Sequence, residues 1–147
     1  MKLPRYPLQT TNDFQEYSFF SDGPKGRIKK VVIYSVLQEE PLVYNLAFGD
    51  VDPKNGMIND TVISNNHDRD IVLATVASTI HLFCDRHGNH LIYVTGSTKA
   101  RTRLYQISVT KLINEIRVDF DLYGDNGTEI VKFECNVNYQ AILIRRK

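Results

Sequence analysis

Three cations fall within five positions of the stretch V-T-G-S-T-K-A-R-T-R-L-Y, residues 94–105: Lys99, Arg101 and Arg103. They follow an apolar run that stops at Gly96 and two hydroxyl residues, Ser97 and Thr98, and they precede Tyr105. A strand that ends in glycine and hands over to a helix leaves free backbone N–H groups at the helix N-terminus, and those groups attract anions. Gly96 would let a ligand approach the backbone, Ser97 and Thr98 would add hydroxyl donors, and the arginines would fork a phosphate. On a helix Lys99 and Arg103 share one face, and Arg101 and Tyr105 share another, so Tyr105 would stack on a base or brace Arg101. The stretch is neither a Walker loop nor a G-x-G-x-x-G turn. Its charges oppose the helix dipole at a cost of about 0.3–1 kcal/mol each. Three answers to that conflict stay open at this point: an external anion or nucleic acid, an internal carboxylate such as those at Asp50 and Asp52, or solvent.

Two more basic groups accompany it. P-K-G-R-I-K-K, residues 24–30, sets Lys25, Arg27, Lys29 and Lys30 on a glycine-rich turn that could clamp a phosphate backbone. The chain ends in Arg145, Arg146 and Lys147. If the three groups converged, a basic groove would form on a protein of net charge +1. The acidic and polar residues lie in F-G-D-V-D, residues 48–52, and S-N-N-H-D-R-D, residues 64–70. Asp50 and Asp52 are the candidate ligands for a hard divalent cation. His67 is the candidate general base, with Asp68 or Asp70 to orient it. Turn chemistry and helix capping account for the same acids, with Asn66 as the N-cap. No H-E-x-x-H, Cys-x-x-Cys or G-x-S-x-G occurs, so zinc chemistry and serine hydrolysis have no support and no cofactor is expected. His81 falls near the edge of an apolar helix face and reads as structural, and His87 and His90 flank a turn at Gly88.

The elements that must position these residues follow from periodicity. At 147 residues and 42% hydrophobic composition, the chain suits one domain able to bury a core, here 1–147 with an irregular lead-in over 1–13. Strands are predicted over 15–20, 29–37, 42–48 and, weakly, 57–64. Apolar residues at helical spacing run from 68 to 87, with Gly88 as the stop. A strand over 90–95 precedes the basic stretch. Residues 98–116 form one bent helix or two short ones, because I-S-V-T in their middle is a poor helix former. Strands over 117–123, 128–135 and 139–144 close the chain, the first two joined by a G-D-N-G turn at 124–127. The order β-β-β-(β)-α-β-α-β-β-β predicts an α+β fold, a mainly antiparallel sheet with two helices on one face. Cys84 and Cys135 are too few for a disulfide scaffold and are expected to be buried thiols. No apolar stretch reaches the roughly 20 residues of a membrane helix, and a cytoplasmic, membrane-free location is expected.

The run G-S-T-K-A-R-T-R-L-Y, with G-P-K-G-R-I-K-K-V-V, Y-N-L-A-F-G-D-V-D, N-N-H-D-R-D-I-V-L-A-T-V and Y-Q-A-I-L-I-R-R-K, resembles a family of short single-domain bacterial proteins of unknown function. The resemblance covers nearly the whole chain and carries no activity or catalytic residue. Small proteins of this kind suggest one half of a toxin–antitoxin pair. The expectation is a phosphate- or nucleic-acid-binding domain, for instance an RNA-directed toxin. Its contacts would come from Gly96, Ser97, Thr98, Lys99, Arg101, Arg103 and Tyr105, with Lys25, Arg27 and Lys29. The alternative is a non-catalytic interaction module that joins a small protein partner or its own copy.

Overall fold

The structure is a computed structural model that describes residues 3–11, 13–59, 67–96 and 98–147. Its strands are β1 (Gln9–Thr11), β2 (Glu16–Gly23), β3 (Gly26–Gln38), β4 (Val43–Val51), β5 (Ile58–Asn59), β6 (Leu91–Val94), β7 (Phe120–Asp125), β8 (Ile130–Lys132) and β9 (Ala141–Arg146). Its helices are α1 (Arg69–His87), α2 (Lys99–Lys111) and α3 (Ile113–Asp119). All nine strands join one sheet in the order β1-β2-β3-β4-β6-β9-β7-β8, with β5 pairing the far end of β4. The α+β, mainly antiparallel architecture is as the sequence predicts. The first strands form an antiparallel meander, since their connections are too short for anything else.

The parallel pair is β4 and β6, registered from Val43 opposite Leu91 to Leu46 opposite Val94. A parallel pair needs a long crossover, and α1 supplies it. β6 then ends, while β4 runs on to Asp50 and Val51, where β5 takes the vacated edge. The C-terminal ends of β4 and β6 therefore open side by side. The N-termini of α1 and α2 start at that same end.

One face of the sheet carries the core. Alternation points Tyr17 and Phe19 of β2, Val32 and Tyr34 of β3, and Tyr44 and Leu46 of β4 inward, with Ile92, Ile142, Phe120 and Leu122 beyond them. Ala77, Ile80, Phe83 and Cys84 of α1, Val109 of α2 and Ile116 of α3 cover this face. The Tyr34 and Phe83 rings stack at 4.1 Å, and the Tyr34 hydroxyl meets Thr79 Oγ1 at 2.8 Å. Burial raises the Tyr34 pKa well above the ordinary tyrosine value.

Several boundaries differ from expectation for local reasons. There are three helices among the described residues: the 98–116 segment breaks at Leu112, and α3 continues to Asp119, so β7 begins at Phe120 and not at 117. The lead-in contains β1, and Tyr6 and Leu8 pack on the core. The expected partner strand over 128–135 is reduced to β8, and the last strand is displaced to Ala141–Arg146. Cys84 is buried as expected, but Cys135 is exposed. The expected cap Asn66 lies outside the described residues, and Asp68 occupies the N-cap position of α1.

The hairpin turn sits at 126–129, where Asn126 Oδ1 accepts the N–H groups of Thr128 and Glu129 at 2.9 Å. Gly124 is inside β7, and the Tyr139 ring lies on it: a Cβ there would come within 2.3 Å of Tyr139 Cδ1. Tyr139 is buried and its ring also meets Phe133, so it has no room to retreat. Gly124→Ala should therefore destabilise the fold by about 1–3 kcal/mol. Urea denaturation would read this as a lower midpoint at unchanged slope.

Candidate anion-binding site

The opening between β4 and β6 leads into a cleft of about 280 Å³ beneath α1 and α2. Its deep part is apolar, lined by Val76 and Ile80 of α1, Val109 of α2, Ile116 of α3, and Ile142 and Ile144 of β9. Its polar lining comes mainly from the end where β4 and β6 stop: Lys30, Asp50, Asp68, Arg69, Thr95 and Arg101. This division is topological. The strands end and the helices begin at one side of the domain, which is where α/β proteins collect ligands.

The charges there are unequally answered. Lys30 and Asp50 face each other across β3 and β4, and Lys30 Nζ lies 2.5 Å from Asp50 Oδ1. The two side chains retain 6% and 13% of their exposure, so the pair is largely out of water. Asp50 Oδ2 is buried and has no hydrogen-bond partner among the described residues. Asp68 sits at the N-cap of α1 but makes no side-chain cap. Its Oδ2 instead accepts the Tyr6 hydroxyl at 2.6 Å and the Ser21 hydroxyl at 2.5 Å. Burial and the bond to Asp68 push the Tyr6 pKa up. Arg101 is 8% exposed and lines the cleft, yet its guanidinium makes no ion pair or hydrogen bond among the described residues. A buried arginine ordinarily has a counter-ion.

Arg101 reaches this position through the junction between β6 and α2. Gly96 brings the two elements together: a Cβ on it would fall 2.4 Å from Arg101 Cβ and 2.8 Å from the Thr102 backbone nitrogen. The Gly96 N–H donates to Thr102 Oγ1 at 3.0 Å, and Thr98 Oγ1 caps the Arg101 N–H at 3.2 Å. The glycine thus serves the close packing of β6 against α2. The first turn of α2 contains no acid to offset its cations.

A family model matches residues 2–147. The chain belongs to DUF6934, a family of unknown function. No curated protein and no solved structure matches it.

In the DUF6934 chain, the cations of the basic stretch separate. Arg101 and the half-buried Tyr105 line the cleft, while Thr98, Lys99 and Arg103 are exposed, Arg103 bonding Asn138. Ser97 lies outside the described residues. Lys25, Arg27 and Lys29 are on the β2–β3 hairpin, where the Arg27 guanidinium sits 4.0 Å over the Phe20 ring. Arg146 does not add to a basic groove: it binds Asp85 at 2.6 Å and the His81 carbonyl at 3.1 Å, fastening β9 to α1. Asp50 and Asp52 do not converge on a metal. Asp50 is held by Lys30, Asp52 Oδ1 accepts the Lys54 N–H at 2.8 Å, and no cluster of potential metal ligands occurs among the described residues. His67 is exposed at φ 60°, Asp68 is committed to Tyr6 and Ser21, and Asp70 lies 3.9 Å from Lys111. The His81 ring lies tilted against Phe120 at 4.8 Å, and burial lowers its pKa although Asp119 lies 3.6 Å away.

Tyr6 and Ser21 were not among the expected site residues, and Lys30 was expected only as part of the basic turn at 24–30. Lys30 had a legible signal, because it shares a period-2 face with Val32 and Tyr34 and must point into the core with them. Removing one member of its pair should strand the other charge. Lys30→Met should cost about 3–5 kcal/mol, and Lys30→Met with Asp50→Leu should recover most of the loss. Chemical denaturation of the single and double variants measures both.

Proposed function

We propose that the DUF6934 chain is an anion-binding domain that takes a phosphate or carboxylate group at the C-terminal ends of β4 and β6, with Arg101 as its ligand. The observation that carries this reading is an arginine residue more than nine-tenths buried, lining a cleft and without a counter-ion among the described residues. Burying an unanswered charge costs several kcal/mol, and such conflicts between local stability and sequence collect at functional sites. Lys30 is already paired with Asp50, so that pair adds no net charge to the cleft. The planar guanidinium offers a fork that matches a planar carboxylate or a phosphate edge.

A second reading keeps nucleic acid as the ligand and rests on the hairpin. Lys25, Arg27 and Lys29 with exposed Lys99 and Arg103 would contact phosphates, and the Arg27–Phe20 pair resembles the cation–aromatic surfaces on which bases stack. An RNA-directed toxin would be the enzymatic form of this reading. The burial of Arg101 favours the enclosed anion.

The two readings separate in one set of measurements. In thermal unfolding, inorganic phosphate or acetate should raise the midpoint of the native protein and leave Arg101→Gln unmoved. Arg101→Met should be more stable than the native protein without ligand, by about 1–3 kcal/mol, because it removes an unanswered buried charge. Equal stabilisation of native protein and Arg101→Gln would refute the assignment. Loss of RNA affinity in Lys25→Ala/Arg27→Ala/Lys29→Ala, with a weakened salt dependence, would establish the second reading in its place.

A further inference from the structure

The anion is only one end of what the cleft can hold. We infer that the ligand is an amphipathic small molecule, an oxyanion on an apolar body, whose apolar part inserts between the sheet and the helices that cover it. The inference rests on Arg101 as the anion ligand and adds what occupies the space behind it.

A free phosphate or a sugar-phosphate backbone needs polar partners on several sides. The space behind Arg101 supplies few. Val72, Val76 and Ile80 lie along one wall on successive turns of α1, and Val109 and Ile116 form the other. The floor is Leu46, Val94, Ile142 and Ile144 on the inward face of neighbouring strands. The hydroxyls that reach the cleft are largely occupied: Ser108 donates to the Leu104 carbonyl at 3.0 Å, and Thr95 donates to the Gln140 carbonyl at 3.1 Å. A purely polar ligand would leave this lining unfilled and its own groups without partners. An alkyl or aryl chain fills it and places its charged end at the strand termini.

Charge and size narrow the class. The charged groups that line the cleft are Lys30, Arg69 and Arg101 against Asp50 and Asp68, which leaves one net positive charge. That balance suits a single anionic group. About 280 Å³ sits at the small end of ligand pockets, so the body is a short chain or a single ring, not a long acyl chain.

Isothermal titration of the full chain with a homologous series tests this: acetate, butyrate, hexanoate and octanoate, with butyl and hexyl phosphate as a parallel arm and inorganic phosphate as the reference. Affinity should rise about fourfold per methylene until the cleft is full and then level off. The arm with the steeper or tighter series identifies carboxylate or phosphate as the head. Ala77→Met, which puts bulk into the cleft wall, should flatten the chain-length dependence while leaving the response to acetate and inorganic phosphate in place. Should that variant fold poorly, Val76→Leu serves the same purpose with less added bulk. Binding that is independent of chain length in the native protein overturns the amphipathic ligand but leaves Arg101 as an anion site. Binding that grows with chain length and is unaffected by Arg101→Gln overturns the anionic head and the proposed function with it.

Discussion

A lysine and an aspartate held 2.5 Å apart across β3 and β4 let this domain place charge at the edge of its core. Two isolated charges at that depth would be expelled or neutralised. Paired across the register that opposes Lys30 to Asp50, they sit where the sheet opens and give the cleft a polar rim. The rest of the site is arranged around this rim. Asp68 is brought to it by the start of α1 and is tied to the lead-in through Tyr6 and to β2 through Ser21. Arg101 is brought to it by the start of α2. Among the described residues, three of these four charged groups find partners within the chain, and Arg101 does not.

Local rules are broken at this rim in ways that point in the same direction. The N-cap carboxylate of α1 gives up its capping bond for two tertiary hydroxyls. The first turn of α2 is cationic where the dipole favours anions. Gly96 is used up in packing β6 against the arginine's own Cβ, which fixes where Arg101 can reach. Elsewhere the chain follows ordinary logic: Gly88 stops α1, Asn126 closes the β7–β8 turn, and Arg146 ties the last strand to α1.

Much of the fold was legible because it rests on short-range pattern. The period-2 runs of β2, β3 and β4 and the helical spacing of α1 survive in the structure because burial and local preference agree there. What was not legible depended on partners remote in sequence. The continuation of the second helical segment to Asp119 depends on Ile116 finding the core beside Phe120, and the shortened β8 depends on Tyr139 folding over Gly124. The charge conflict in residues 99–103 was readable, but its resolution was not. Nothing in the spacing of Arg101 and Arg103 says that one turns into the protein and the other out. Lys30 was readable by alternation with Val32 and Tyr34, yet its neighbours Lys25, Arg27 and Lys29 drew it into the basic turn expected to clamp a phosphate backbone.

The anion site stands on the state of one side chain, Arg101. Nitrogen-15 NMR of the arginine Nε–H groups reports it directly. During titration with butyrate, the Arg101 Nε–H should shift and sharpen as it gains a charged acceptor, while the exposed Arg103 Nε–H stays in place. An Arg101 signal that ignores the titration, or that moves in step with Arg103, would contradict an enclosed anion site at the ends of β4 and β6.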